Sequence, residues 1–287
     1  MLEYLKSFQA EVHQRWPEIF QKDLSWPEQI IEEANYVLVG GKCVRPATAL
    51  WLIENMQPEF NRDHLPWNSF ASLEMIHSYS LVHDDLPAMD DDDIRRGKPS
   101  AHKKFGEASA ILLGDSLLTG AFEATAKETQ LSSAAVVLWQ FELAQAAGAK
   151  GMIHGQKLDL VIEEQLKEAE LAGKTAAESL DISQLENVHR LKTGALFGAS
   201  GALAALTVDH RDQTLREQLR AWGIELGLLF QVVDDLLDRS LFFQKLGENA
   251  LVKYCADLES QLIDELPEKI NRDSAAKFLE FFLKRDH

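Results

Sequence analysis

The chain has 287 residues, 46% of them hydrophobic, with 29 basic against 46 acidic side chains and a formal net charge of −17. That acidity excludes a general role on nucleic acid or anionic membranes, which need a basic footprint. Cys43 and Cys255 are the only cysteines and form no CxxC, so neither a disulfide framework nor a thiolate metal site is indicated, and a reducing, cytoplasmic setting is expected.

In chain order, the N-terminus (MLEYLKSFQAEVHQRW) carries charges throughout and lacks the apolar core of a signal peptide. Ser25-Trp26-Pro27-Glu28 starts a helix that Gly40-Gly41 stops. A helix over Pro46–Met56 follows, then one from Pro66 to Asp84-Asp85, broken by Pro87, with Met89–Pro99 as a loop. Further helices are expected over Glu107–Glu128, Ser132–Gln165, Ile182–Leu206, Gln213–Leu241, Gly247–Leu266 and Ser274–Lys284, with Gln165–Ser179 as an exposed connector. The longest uncharged run, Thr193–Val208, is short of the roughly 18 residues of a membrane span, and its Gly and Ala suit close helix packing. No strand pattern, repeat or long linker interrupts this, so one all-α bundle over 1–287 is expected.

Two acidic stretches resist a folding explanation. His83–Arg96 (HDDLPAMDDDDIRR) packs six carboxylates into ten positions behind a core-like helix. Two carboxylates about 5 Å apart repel by roughly 3 kcal/mol at an effective dielectric of 20, so the cluster must be solvated or held by cations. In the second stretch, FQVVDDLLD, the helical period puts Gln231, Asp234, Asp235 and Asp238 within an arc of roughly 100° and leaves the aliphatic residues to pack. An acid triad beside such apolar sequence needs a partner. Oxygen-only ligands completed by substrate phosphates select Mg²⁺. An EF-hand is excluded, because counting from Asp91 the glycine falls at the seventh position and no glutamate stands at the twelfth.

The basic residues near these acids point to polyanions. GGKCVRP places Lys42 and Arg45 at a helix start, Arg95-Arg96 abut the acid loop, and Lys192-Thr193-Gly194 head the small-residue helix. The spacing is not that of a P-loop.

With these residues in view, the chain closely resembles the trans-prenyltransferases that make polyprenyl diphosphates, and most closely the bacterial-type farnesyl diphosphate synthases. The likeness runs from about Glu33 to Asp238, resumes near Leu246, and is carried by GGKCVRP, IHSYS, HDDLPAMDDDDIRRG, GQKLD, KTG and FQVVDDLLD. It implies the isoprenoid synthase fold around a central cavity, usually in a homodimer. It implies that Asp84, Asp85 and Asp90, with Asp234, Asp235 and Asp238, hold three Mg²⁺ ions on the diphosphate of an allylic substrate. By the same resemblance, Arg95, Lys192, Thr193 and Gln231 are expected as further contacts to that diphosphate, Lys42, Arg45, His77 and Arg96 as the isopentenyl diphosphate pocket, and Gln156 and Asp159 on the cavity wall. Asp91–Asp93 are left as a remainder, either solvated or supporting the metal-facing acids from behind.

The implied reaction ionises the allylic C–O bond, adds the isopentenyl double bond to the cation and loses a proton, without a protein nucleophile. Tyr79 and Ser80 lie about one turn below Asp84, where the resemblance implies that chain length is set, and in that family an aromatic there with Leu86-Pro87 marks the farnesyl type, so a C15 product is expected. The chain departs from the family pattern behind Asp238, where Arg239–Phe243 leads almost directly into the next helix; the glycine- and lysine-rich loop of roughly twenty residues expected there is either lost from the protein or absent from this sequence. A geranylgeranyl or longer-chain synthase, and a weakly active prenyl-diphosphate-binding subunit, are the alternatives. A terpene cyclase would need no second diphosphate site.

Overall fold

The computed structural model describes residues 2–284. It is all-α apart from a minimal hairpin. α1 (Leu2–Glu18) runs into a π-type turn, followed by α2 (Glu28–Leu38), α3 (Val44–Met56) and α4 (Trp67–Asp84). The hairpin pairs β1 (Ile94–Arg95) with β2 (Lys98–Pro99). Next come α5 (Ala101–Phe105), α6 (Glu107–Ala126), α7 (Ser133–Ala147), α8 (Met152–Leu171), α9 (Ala176–Ser179) and α10 (Ile182–His189). A π-type turn over Arg190–Gly194 joins α10 to α11 (Ala195–Asp209), and α12 (Gln213–Asp238), α13 (Leu241–Leu246), α14 (Glu248–Glu265) and α15 (Arg272–Leu283) follow among the described residues.

Internal contacts divide the chain into two compact units, residues 2–50 with 60–140, and residues 51–59 with 141 onward. In the first, Phe8, Trp16, Phe20 and Phe70 are at most 1% exposed, and Trp26 stacks on Phe20 at 4.8 Å between ring centres. α4 is buried along most of its length, so it delivers its terminal acids from within the packed interior. α6 approaches closely because a Cβ at Gly114 would stand 2.0 Å from the His83 ring and one at Gly120 2.1 Å from Trp26.

In the second unit, Trp51 stacks on Phe278 at 4.2 Å, and Phe197, Phe230 and Phe282 make a further aromatic cluster. The small-residue run is there for packing: a Cβ at Gly201 would stand 2.0 Å from the Leu219 carbonyl, and one at Gly223 2.3 Å from that of Phe197. By length and composition alone the stretch Ile182–Asp209 could cross a membrane, but its apolar window is 72% buried inside the fold.

Several sequence boundaries move. The single helix expected over Ser132–Gln165 breaks between Ala147 and Met152, where a Cβ at Gly151 would lie 2.2 Å from the Ala146 carbonyl; the small residues there keep a helical pattern while the backbone turns. The expected connector Gln165–Ser179 is largely helical, since α8 continues to Leu171 and Thr175 with Glu178 closes a capping box on α9. α12 ends at Asp238 because Arg239 takes a left-handed backbone (φ 55°), and the short α5 and α13 were not anticipated.

Candidate active site

In the first unit, α4 ends at Asp84 and Pro87 prevents its continuation. The chain instead folds back, with the Asp90 N–H donating to the Asp84 carbonyl (2.8 Å) and the Asp91 N–H to that of Leu86 (3.2 Å). This turn brings the third acid of the D-D-x-x-x-x-D series beside the first. Asp84 is half-buried, Asp90 exposed, and Asp85 between them only 2% exposed. Arg95, on the hairpin, donates to Asp85 Oδ1 from Nε (2.8 Å) and Nη2 (2.5 Å), and reaches Asp92 at 2.8 Å. Asp91–Asp93 are exposed, as expected of a solvated remainder. Asp91, Asp93 and the buried His102 offer ligand atoms within 4.8 Å of one another, and Asp93 is paired with Lys103 (2.8 Å).

Close to this hairpin is a basic group. Arg96 donates to the Val37 carbonyl at the end of α2 (2.8 Å), and a Cβ at Gly41 would stand 3.2 Å from its guanidinium, so the second glycine of GGKCVRP makes room for it. Cys43 and Arg96 both hold φ near +50°, the strained backbone that accumulates at functional sites. Burial pushes the Arg45 guanidinium down to about 10, with Glu74 opposing the shift. His77 is held well below its ordinary 6.5 by burial and by the charges of Arg45, Arg96 and Arg95. The structure thus gathers three of the four expected isopentenyl-pocket residues; Lys42 sits exposed on the adjoining turn.

Glu74 was missed by sequence reasoning. It lies one turn before His77 on α4, 2% exposed, its carboxyl raised by burial against the pull of Arg45 and Arg96. A lone acid inside an apolar helix, three residues from a histidine that has been singled out, was the available signal. Tyr79, one turn below Asp84, is 6% exposed, and burial, with Asp84 second, pushes its phenol up to about 12. The Ser80 hydroxyl donates to the His77 carbonyl of its own helix (2.9 Å).

In the second unit, Gly155 on α8 lets the helix press on the π-type turn; a Cβ there would stand 2.2 Å from the Lys192 nitrogen. Around that contact the expected site residues form two pairs that the sequence did not announce. Lys192 Nζ donates to Asp159 (2.6 Å), and the Thr193 hydroxyl donates to Gln231 Oε1 on α12 (3.0 Å). Gln156 Oε1 is buried without a protein partner. On α12, Asp234 is half-buried, Asp238 is the exposed last residue, and Asp235 is 5% exposed. Asp235 Oδ1 accepts from the Ser240 hydroxyl (2.6 Å), and Oδ2 accepts from the Phe242 N–H (3.1 Å) and faces His189 Nε2 (3.3 Å). Within the arc that the helical period gives these acids, Asp235 is the buried one, while Leu237, expected to pack, is 37% exposed.

A family model for polyprenyl synthetases matches residues 27–263. The chain belongs to the polyprenyl synthetase family. Like that family it elongates prenyl chains, and it is a short-chain prenyltransferase. It is 40% identical over 218 residues to a farnesyl diphosphate synthase of Micrococcus luteus, covering 76% of this chain and 69% of that one. A chloroplastic geranylgeranyl pyrophosphate synthase of Arabidopsis thaliana is 40% identical over 232 residues (80% and 63% of the two chains). A farnesyl diphosphate synthase of Haemophilus influenzae is 34% identical (99% and 98%) over 305 aligned positions, more than the 287 residues here, so this chain is the shorter within the matched span. The crystal structure of an FPP/GFPP synthase from Zymomonas mobilis superimposes with a TM-score of 0.80 at 32% identity, covering 99% of both chains, which establishes the isoprenoid synthase fold expected from sequence.

Proposed function

We propose that this polyprenyl synthetase joins isopentenyl diphosphate to dimethylallyl or geranyl diphosphate and releases farnesyl diphosphate. The observation that carries the C15 product is Tyr79, a buried aromatic one helical turn beneath Asp84, with Leu86-Pro87 inside the first acid series. An aromatic side chain there limits how far a growing chain can extend below the diphosphate.

The residues fit the metal that the family implies. Asp84 and Asp90 in the first unit, and Asp234 and Asp238 in the second, each supply carboxylate oxygens only, the donor set of a hard cation. Mg²⁺ held by such carboxylates would neutralise the charge that grows on the departing diphosphate. The chain's own groups do the rest. Arg95, Lys192 and the Thr193–Gln231 pair bind and orient the allylic diphosphate. Lys42, Arg45 and Arg96 bind the isopentenyl diphosphate, with His77, kept neutral, as a hydrogen-bonding group beside them. As the allylic C–O bond breaks, the isopentenyl π electrons form the new C–C bond, and a proton passes to the released diphosphate. The dry apolar cavity that the resemblance implies would exclude the water that quenches the cation. The reading includes one domain over 1–287 working as a cytoplasmic homodimer with three Mg²⁺ ions. Cys43 and Cys255, both free and buried, suit a reducing compartment.

The geranylgeranyl synthases among the relatives support a C20 product as second reading. Incubation with Mg²⁺, geranyl and isopentenyl diphosphates, with products sized by mass spectrometry, decides: a C15 main product is expected, and C20 or longer defeats the assignment.

A further inference from the structure

Resting on the metal–diphosphate reading, we propose that Asp235 is a positioning residue: the short segment behind α12 holds its carboxylate, so that Asp234 and Asp238 are the acids this helix offers to the cation. A carboxylate that binds Mg²⁺ directs an oxygen lone pair at the ion within a demanding octahedral shell. Asp235 has its lone pairs directed elsewhere. Oδ1 is 2.6 Å from the Ser240 hydroxyl, Oδ2 takes the Phe242 N–H at 3.1 Å and stands 3.3 Å from His189 Nε2, and the residue is 5% exposed. The surroundings seal this arrangement. Phe242, wholly buried, lies against the His189 ring with centres 5.3 Å apart, and Lys245 Nζ donates to the Ala177 carbonyl (2.7 Å), tying α13 to α9. The reversal that brings Ser240 back to Asp235 starts at Arg239, in the left-handed region.

The loop missing behind Asp238 is therefore not simply a gap. The residues that remain close on the helix end with a hydroxyl, a backbone N–H and an imidazole around its inner acid. Turning Asp235 toward a cation would strand a buried hydroxyl, an amide and an imidazole at once. With Asp235 fixed, Asp234 and Asp238, four residues apart, stand one above the other on the adjoining face.

The test uses the full-length protein, MgCl₂ and inorganic diphosphate as probe in calorimetry, and thermal melting in EDTA. Asp234→Asn is expected to weaken Mg²⁺–diphosphate binding more than tenfold. Asp235→Ala weakens it severalfold by loosening the helix end, and Asp235→Asn, which keeps an acceptor for Ser240 or Phe242 but no charge, restores binding to within threefold of the parent. In EDTA, Asp235→Ala and Ser240→Ala each lower the melting temperature, and the double variant melts no lower than the worse single. Two results overturn the proposal: Asp235→Asn losing as much binding as Asp234→Asn, or melting losses that simply add. If Asp235→Ala does not fold, Asp235→Asn replaces it in the melting cycle. A parent that binds no Mg²⁺–diphosphate refutes the enzymatic reading instead, and the metal-free cycle still decides whether the lock exists.

Discussion

The two aspartate series end their helices by different physics. In each, the middle acid is buried, Asp85 at 2% and Asp235 at 5% exposure. Asp85 is answered by a guanidinium, charge to charge, from a residue that the functional reading also places on the allylic diphosphate. Asp235 is answered by a hydroxyl, a backbone N–H and an imidazole that have no other assigned work. Stability and chemistry are thus fused in the first series and separable in the second.

The largest expected effect treats the two alike: Asp84→Asn and Asp234→Asn should each lower turnover by about 10²-fold or more, in proportion to lost transition-state charge stabilisation. A clear inequality would show that only one series touches the metal. Next in size, Arg95→Ala strands the Asp85 carboxylate; about 2 kcal/mol of unfolding free energy is expected, discounted because the arginine side chain is 35% exposed, together with weaker allylic diphosphate binding. Ser240→Ala removes one neutral donor and should cost about 1 kcal/mol by denaturant titration. Equal costs would erase the distinction between charged and neutral anchoring. Tyr79→Ala should shift the main product from C15 to longer chains by mass spectrometry, and an unchanged product would acquit Tyr79 as the chain-length residue.

The smallest effect is a pH dependence confined to the first unit. His77 is neutral in the folded protein because its proton affinity is depressed below the ordinary 6.5, whereas the unfolded chain protonates it near that value. Its contribution is present above pH 6.5 and lost as pH falls from there toward the depressed value. His77→Gln should therefore lose less stability than the parent between pH 7.5 and 5.5, and parallel losses would remove His77 as the cause.

Much of this was legible in one dimension, because it rests on local rules. The acid series, the GGKCVRP turn and the KTG segment announce themselves by charge where apolar residues are the norm, and helical periodicity with Pro87 predicts the end of α4. What escaped depends on contacts far apart in sequence. His189 meets Asp235 across 46 positions, and Glu74 acquires meaning only when α4 is set beside Arg45 and Arg96. The break at Gly148–Gly151 escaped for the opposite reason: small residues satisfy a helical pattern without enforcing it.

The most direct test of the account is a single-turnover experiment with excess enzyme, geranyl diphosphate and labelled isopentenyl diphosphate, run with and without Mg²⁺. The account predicts label in a C15 diphosphate only when Mg²⁺ is present. Mg²⁺-dependent binding of both diphosphates with no label incorporated would contradict it, and would make the shortened segment behind Asp238 the mark of a binding subunit rather than of an enzyme.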